Sequence, residues 1–181
     1  PISSQEVDKI FNNKLSYLEQ YRSDWQQWID DTHAAWKRKP TDLVARLSAW
    51  WEPLMQKAPT VCNLIGDPIL IEAKHDDGSV LEIFVDVAQR KVVDGSTVDY
   101  TESPPGFRFT FRRDLLELTV DSGAVDWSNS LLLSCRFSAW RRGQYNESVY
   151  NFLKSLSVER ITRAEAEARA KIAEAASADI P

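Results

Sequence analysis

Apolar residues recur at helical spacing along the first part of the chain, and this pattern predicts one long helix over residues 3–38. Ser3 and Glu6 fit a capping box, in which the Ser3 hydroxyl accepts a first-turn amide and the Glu6 carboxylate reaches back. The apolar positions of this helix are Val7, Ile10, Phe11, Leu15, Leu18, Tyr21, Trp25, Trp28 and Ile29.

A second helix is predicted after Pro40, which ends the first apolar pattern. Thr41 or Asp42 can cap this helix, and Pro53 is expected to break or restart it because proline donates no backbone hydrogen bond. The two helices together predict a helical hairpin over residues 1–60.

Five of the seven tryptophans fall within residues 25–51 of this hairpin. Such a cluster fits an aromatic ligand groove, and it also fits an apolar stripe that docks the hairpin on a larger surface. Docking is the simpler interpretation, because a stripe at helical period is what burial alone requires.

From residue 68 the pattern changes to that of strands. Segments 69–73, 80–85, 91–93, 107–112 and 131–140 are predicted strands, and residues 113–121 and 144–155 are predicted helices. In the clearest strand, 107–112, three phenylalanines share one face, while two arginines and a threonine share the other. The predicted fold class is therefore α+β, with an antiparallel sheet and flanking helices in a domain over residues 61–156.

The alanine-rich end of the chain, residues 157–181, is predicted to be a solvated connector helix. Glu165 with Arg169, and Glu167 with Lys171, form pairs at i,i+4 spacing in the favourable orientation.

Composition narrows the class of partner. The net charge of −5 and the pI near 5.1 argue against a nucleic-acid partner. No apolar run approaches the about 18 residues that span a bilayer, so no membrane partner is expected. Cys62 and Cys135 are far apart and predicted to be buried and inert, which suits a cytoplasmic location. The chain opens on Pro1 with no leader pattern, so we expect that an upstream segment was removed.

Catalytic chemistry is not evident in the sequence. His33 and His75 are the two histidines, and neither lies in a ligand pattern. Cys135 falls inside a predicted strand with no local base beside it, and no glycine-rich phosphate loop occurs. We therefore expect this chain alone to be non-catalytic and to carry no metal or cofactor.

One polar and aromatic segment remains as a candidate binding site. Arginine and aromatic side chains at residues 136–146 would suit an anionic, planar group through bidentate hydrogen bonds and stacking. The simpler alternative is that Asn146 or Gln144 caps a helix while the arginines are solvated in a turn. The candidate residues are Arg136, Trp140, Arg141, Arg142, Tyr145 and Asn146.

The same region carries a resemblance to a known family. Residues 125–147, VDWSNSLLLSCRFSAWRRGQYNE, and residues 150–156, YNFLKSL, resemble actinobacterial Rieske hydroxylases of the UDP-N-acetylmuramic acid hydroxylase type. CMP-N-acetylneuraminate hydroxylase is similar more distantly. The resemblance is most specific over residues 125–169. It implies a middle segment between a metallo-β-lactamase-like domain and a Rieske domain, in a protein that oxidises an N-acetyl group to N-glycolyl on a nucleotide-linked amino sugar.

This sequence lacks several motifs of that family, and their absence decides which functional residues can be assigned to it. The C-x-H and C-x-x-H pairs of a Rieske cluster are missing, as is the H-x-H-x-D-H motif. No catalytic residue transfers, and the 2Fe–2S cluster and the metal are implied only for flanking domains. Neighbouring domains of the same polypeptide are the implied partners. Contact with the nucleotide sugar and the oligomeric state are left open.

The order of elements over residues 68–156 also resembles the sterol carrier protein 2 fold, in which a curved sheet and helices enclose an apolar cavity. Two functional hypotheses follow from the resemblances: a non-catalytic scaffold module of a hydroxylase, and a stand-alone carrier of an apolar ligand. A third is an oligomerisation module in which the long helix pairs between chains.

Overall fold

The computed structural model describes residues 3–37, 39–133 and 136–178. The chain divides into two compact units, Pro1–Lys39 and Pro40–Pro181. The first unit contains helix α1, Ser4–Trp36. Its capping box is present as predicted: the amide of Glu6 donates to Ser3 Oγ at 3.3 Å, and the amide of Ser3 donates to Glu6 Oε2 at 2.9 Å.

The second unit is an α+β domain, which confirms the predicted fold class. The predicted hairpin of residues 1–60 divides between the two units, because the second predicted helix packs with the sheet. The helices are α2 (Leu43–Lys57), α3 (Pro59–Ile65), α4 (Arg113–Asp121), α5 (Glu147–Leu153) and α6 (Val158–Ala178). The strands are β1 (Ile69–Lys74), β2 (Val80–Asp86), β3 (Lys91–Asp94), β4 (Phe107–Arg112) and β5 (Phe137–Arg141).

The sheet is mixed, whereas the sequence predicts a wholly antiparallel one. Its order is β3-β2-β1-β4-β5, and β4 lies parallel to β1. The connection over residues 95–106 carries the chain across the sheet, so that β4 starts beside β1 instead of pairing with β3. Gly106 allows this close approach: its amide donates to Pro68 O at 2.9 Å, and a Cβ there would overlap the Cβ of Asp67.

The predicted strand at 131–140 is wrong at its start. Residues Ser128–Leu132 form a single wide helical turn, and β5 begins only at Phe137. The Asp126 carboxylate holds this turn by accepting hydrogen bonds from Ser128 Oγ and from the Asn129 amide. Cys135 lies outside the described residues.

Pro53 does not break α2, contrary to prediction. A proline inside a helix costs about 3 kcal/mol, but burial of each large apolar side chain returns roughly 1.5–3 kcal/mol. Trp51 and Met55 are fully buried on the two sides of Pro53, and Leu54 is nearly so. Packing on the domain therefore keeps the helix continuous.

The core lies between one face of the sheet and the helices, and its centre is aromatic. The ring of Trp51 on α2 lies 4.8 Å from that of Trp127 and 5.3 Å from that of Phe152 on α5. Phe111 on β4 contacts Trp127 at 6.2 Å. This cluster joins the sheet to two helices.

Helix α6 is predicted to be solvated, and this is wrong for its first half. Ile161 is fully buried, and Glu165 is only 5% exposed. The Glu165 carboxylate accepts hydrogen bonds from the amides of Thr60 and Val61 at 2.9 and 3.1 Å, so it caps the start of α3. The predicted Glu165–Arg169 pair is present at 2.7 Å.

The cap formed by Glu165 makes stability depend on pH. Burial raises the pKa of Glu165, but hydrogen bonds from Thr60, Val61 and Arg169 outweigh burial and hold the pKa below its ordinary value. A carboxyl whose pKa is lowered by folding stabilises the protein above its unfolded pKa of about 4.3, and this contribution is lost as the pH falls. We expect Glu165→Gln to reduce the loss of unfolding free energy between neutral and acidic pH, as measured by urea denaturation. An unchanged pH dependence would contradict the role of this carboxylate.

Candidate functional site

An apolar groove of about 220 Å³ lies between β4, β5 and α5. Its floor is made by alternate residues of two paired strands, because Phe109 lies opposite Ala139 and Phe107 opposite Arg141. Other apolar side chains of the lining are Leu132, Phe137, Val149 and Leu153.

The groove is open because of a size mismatch between strands. Phe109 is only half-buried, unlike the buried Phe107 and Phe111 on the same face. Its cross-strand neighbour Ala139 has no side chain beyond Cβ, so the space above the pair is unfilled. The nearest ring is that of Phe137, whose centroid lies 6.2 Å from that of Phe109.

Arg141 and Tyr145 form a polar rim on this groove. The Arg141 guanidinium carbon lies 5.8 Å from the centroid of the Tyr145 ring, and both side chains are exposed. A cation stacked on an aromatic ring beside an apolar groove is suited to a ligand with an apolar body and an anionic or planar end.

Of the other predicted site residues, Trp140 and Asn146 line the same groove as this pair, whereas Arg136 and Arg142 do not. Arg142 binds Asp67 at 2.8 Å through its guanidinium. Trp140 borders the groove, and the Arg108 guanidinium lies over its ring at 5.8 Å. Arg136 is exposed just before β5 and does not line the groove.

Asn146 has a structural position, as the simpler sequence interpretation predicts. Its side-chain oxygen accepts a hydrogen bond from the Ser148 amide at 2.9 Å and so caps α5. Its Nδ2 donates to the carbonyls of Leu64 and Ile65 at 2.9 and 3.1 Å, at the end of α3. Asn146 therefore joins two helices.

Replacing Arg141 and Arg142 together by alanine is expected to leave folding intact. The Arg142–Asp67 pair has side chains 49% and 43% exposed, and exposed ion pairs contribute about 0–1 kcal/mol. The urea midpoint of the double variant should therefore lie close to that of the wild type. A loss of several kcal/mol would show that these arginines are structural.

Sequence reasoning missed the apolar half of this groove. The 107–112 alternation identifies the face on which Phe109 lies, but the pairing of Phe109 with Ala139 requires the register of β4 against β5. The small residue opposite a large one is a usable signal only after that register is known.

A second surface of interest lies on α1. Eight of the large apolar side chains of α1, which we call the α1 stripe, are each between 41% and 68% exposed. At 3.6 residues per turn they cover about 160° of the helix circumference. Contiguous apolar patches of this kind on a protein surface usually mark an interaction site. The stripe consists of Val7, Ile10, Phe11, Leu15, Tyr17, Leu18, Tyr21 and Trp25.

Cys62 and the potential metal ligands were the other candidates for chemistry among the described residues. Burial raises the pKa of the Cys62 thiol to about 11, and the predicted burial of Cys62 is confirmed. Among residues 3–37, 39–133 and 136–178 no group of three His, Cys, Asp or Glu side chains could hold a metal ion. None of the helices described is long and apolar enough to cross a bilayer.

The α+β domain belongs to the SCP2-like class, named for sterol carrier protein 2 (SCP2). The model of one particular family within this class, the Rv3818-like, SCP2-like domain, matches residues 43–170. The chain belongs to this family. The match includes α2 and most of α6, and is therefore wider than the predicted domain of residues 61–156.

Similar proteins come from mycobacteria. The chain is 29% identical over 171 residues to a Mycobacterium tuberculosis protein named as a Rieske 2Fe-2S iron-sulfur protein, with 91% of this chain and 31% of that protein covered. A Mycolicibacterium smegmatis protein of the same name is 31% identical over 165 residues, with 87% and 30% covered. The chain thus spans about a third of the length of these relatives.

Solved structures similar to this fold are sterol carrier proteins. The apo form of sterol carrier protein 2 from Yarrowia lipolytica is 12% identical with a TM-score of 0.37, covering 72% of this chain and 94% of that one. The sterol carrier protein domain 2 of Helicoverpa armigera is 10% identical with a TM-score of 0.40, covering 74% and 96%.

The residues of this chain do not fit the 2Fe–2S cluster in the relatives' name. A Rieske cluster needs two cysteines and two histidines in close pairs. Here Cys62 is buried inside α3, and the nearest histidine in sequence, His75, contacts the Arg113 guanidinium at 2.8 Å. No chemical step through a cluster is therefore assigned to these residues.

Proposed function

We propose that this chain is a non-catalytic scaffold module of a multidomain oxidoreductase, and that the α1 stripe binds a neighbouring domain of the same polypeptide. The exposed stripe is the observation that carries the proposal, because large apolar side chains in water are costly unless a partner covers them. Relatives named as Rieske proteins, about three times as long as the matched region, support the larger context.

The proposal extends to the reaction that the whole multidomain protein catalyses. The resemblance of residues 125–169 points to oxidation of an N-acetyl group to N-glycolyl on a UDP-N-acetylmuramic acid type of substrate. In that scheme the 2Fe–2S cluster and the metal belong to neighbouring domains. This chain holds those domains in position, and its Arg141 and Tyr145 side chains form a pair that is suited to bind a nucleotide sugar.

The scaffold role is tested by small-angle X-ray scattering on the polypeptide encoded by the complete reading frame. Leu18→Ser with Tyr21→Ser places two hydroxyls in the middle of the stripe and should increase the radius of gyration. Ser16→Ala with Gln20→Ala, on the opposite face of α1, is the matched control and should leave it unchanged. Equal radii for all three proteins would refute the docking role.

The groove supports a second candidate function, that of a carrier for an apolar ligand. Its volume of about 220 Å³ is below the ~300–1,000 Å³ of sites for drug-sized molecules, which favours a single acyl chain over a sterol. The rim pair Arg141 and Tyr145 would face the polar end of such a chain.

Native mass spectrometry of the purified protein tests the carrier. Ala139→Trp fills the groove and should reduce co-purified lipid at least tenfold. Ser138→Trp adds the same ring on the opposite face of β5 and should retain the lipid. Wild-type protein that carries no lipid, and takes up none from added fatty acid, would rule the carrier out.

A further inference from the structure

Carboxylates line both margins of the α1 stripe. At about 100° per residue, Glu6 and Asp24 lie along one margin, and Asp8 and Glu19 along the other. Asp30 and Asp31 extend the two margins toward the end of the helix and accept hydrogen bonds from Gln26 and Gln27 on their own helix. The apolar surface is thus bordered by negative charge on two sides.

We propose that the α1 stripe docks in an apolar groove rimmed by lysine and arginine side chains on a neighbouring domain of the same polypeptide. This inference rests on the proposed scaffold function and names the chemistry of its partner. A helix that lays an apolar face in a groove is a common recognition mode, and opposite charges at the rim set orientation and partner choice.

The extent of the stripe suits a stable interface. Four aromatic and four aliphatic side chains, each about half exposed, offer roughly 700 Å² of apolar surface. A standard protein interface buries about 800 Å² per partner. The width of about 160° exceeds the narrow seam of a two-stranded coiled coil and fits a groove that holds the helix on more than one side.

The charge distribution disfavours a membrane surface as the partner. Helices that lie on membranes carry lysine and arginine on the polar face, next to anionic lipid headgroups. Helix α1 has six carboxylates against three cations, Lys9, Lys14 and Arg22, so its net charge is negative. Two of these cations lie within the arc of the stripe, where their long apolar stems add to the apolar surface.

The same charges disfavour a second copy of this chain. When two helices pair along apolar faces, the positions that flank the faces meet across the interface. Both margins of α1 are acidic, so a pair of α1 helices would bring carboxylates together in either orientation. A partner with a basic rim has no such repulsion.

Hydroxyl-radical footprinting of the complete polypeptide tests the inference. Oxidation of Tyr17 and Tyr21 on the stripe is compared with that of Tyr145, which is 64% exposed in the second unit. At about 50 mM NaCl we expect both stripe tyrosines to react several-fold more slowly than Tyr145. Raising NaCl to about 500 mM should weaken this protection, because salt screens exposed charge pairs.

Matched variants separate charge from packing. Glu19→Gln with Asp24→Asn neutralises one carboxylate on each margin and should reduce protection at low salt and remove its salt dependence. Ser16→Lys with Gln20→Lys makes the same change of two charge units on the opposite face and should behave as wild type.

The outcomes distinguish this inference from the proposed function. If the protection of the stripe tyrosines changes neither with salt nor in the margin variant, the proposed basic rim is wrong, but the docking role stands. Unprotected stripe tyrosines at every salt concentration would overturn both. If the polypeptide sediments with vesicles of phosphatidylglycerol and phosphatidylcholine, the partner is a membrane surface. If it forms a dimer that Leu18→Ser disrupts, the partner is a second copy of the chain. Either result would overturn the proposed partner.

Discussion

Replacing Trp51 by alanine is expected to lower the free energy of unfolding by about 4 kcal/mol, the largest effect of a single substitution in this domain. Trp51 is fully buried on α2, and its ring contacts both Trp127 and Phe152. Alanine would leave a large cavity where α2 and α5 meet. Because domains of this size are stable by only about 5–15 kcal/mol, the urea midpoint should fall sharply.

A phenylalanine at the same position is the control. Trp51 Nε1 is buried without a hydrogen-bond partner among the described residues, so Trp51→Phe keeps a ring and removes an unsatisfied donor. We expect it to cost far less than alanine. Equal costs for the two substitutions would mean that the ring contacts are not what stabilises this part of the core.

Replacing Glu117 by alanine is expected to cost about 3 kcal/mol, because a buried carboxylate with cationic partners is removed. Glu117 on α4 is 1% exposed. It accepts hydrogen bonds from the Thr41 amide at 2.9 Å and from Arg113 Nε at 3.2 Å, and it pairs with Arg46 at 3.4 Å. Removal leaves the Thr41 amide unpaired just before α2 and takes the carboxylate away from the partly buried guanidinium of Arg113.

Asp121 provides a matched control for Glu117. It pairs with the same Arg46 at 2.6 Å, but its side chain is 44% exposed. Asp121→Ala should therefore change the free energy of unfolding, measured by urea denaturation, by no more than about 1 kcal/mol. If the two alanine variants were equally stable, burial of Glu117 would not matter to this network.

The parts of this fold that the sequence predicts correctly are the local ones. Ser3 and Glu6 are three residues apart, and their capping box depends on nothing beyond the first turn of α1. The alternation of residues 107–112 likewise reports which side of β4 faces the core, whatever strand lies beside it.

The parts that the sequence predicts wrongly depend on distant contacts. The parallel pairing of β1 with β4 is set by the connection over residues 95–106, and a strand has the same period in a parallel and in an antiparallel pair. Pro53 is tolerated because Trp51 and Met55 pack on elements that are distant in sequence. The prediction that α6 is solvent-exposed is wrong at Glu165, whose hydrogen-bond partners Thr60 and Val61 are about a hundred residues away in sequence.

The candidate site shows the same division. Asn146 as a helix cap could be predicted from its position before α5, and the structure confirms it. Arg141 and Tyr145 are four residues apart in sequence and contact each other in the structure, whereas Arg142 pairs with Asp67, just before β1. The apolar floor at Phe109 and Ala139 depends on strand register, which no local pattern encodes.

The most direct test of the scaffold proposal is site-specific photo-crosslinking in the complete polypeptide. A benzophenone side chain placed at Tyr17, within the α1 stripe, should form intramolecular crosslinks to a neighbouring domain outside these 181 residues. The same group at Ser16, on the opposite face, should form none. Crosslinks from Tyr17 that are absent, or that join two copies of the chain, would contradict the account.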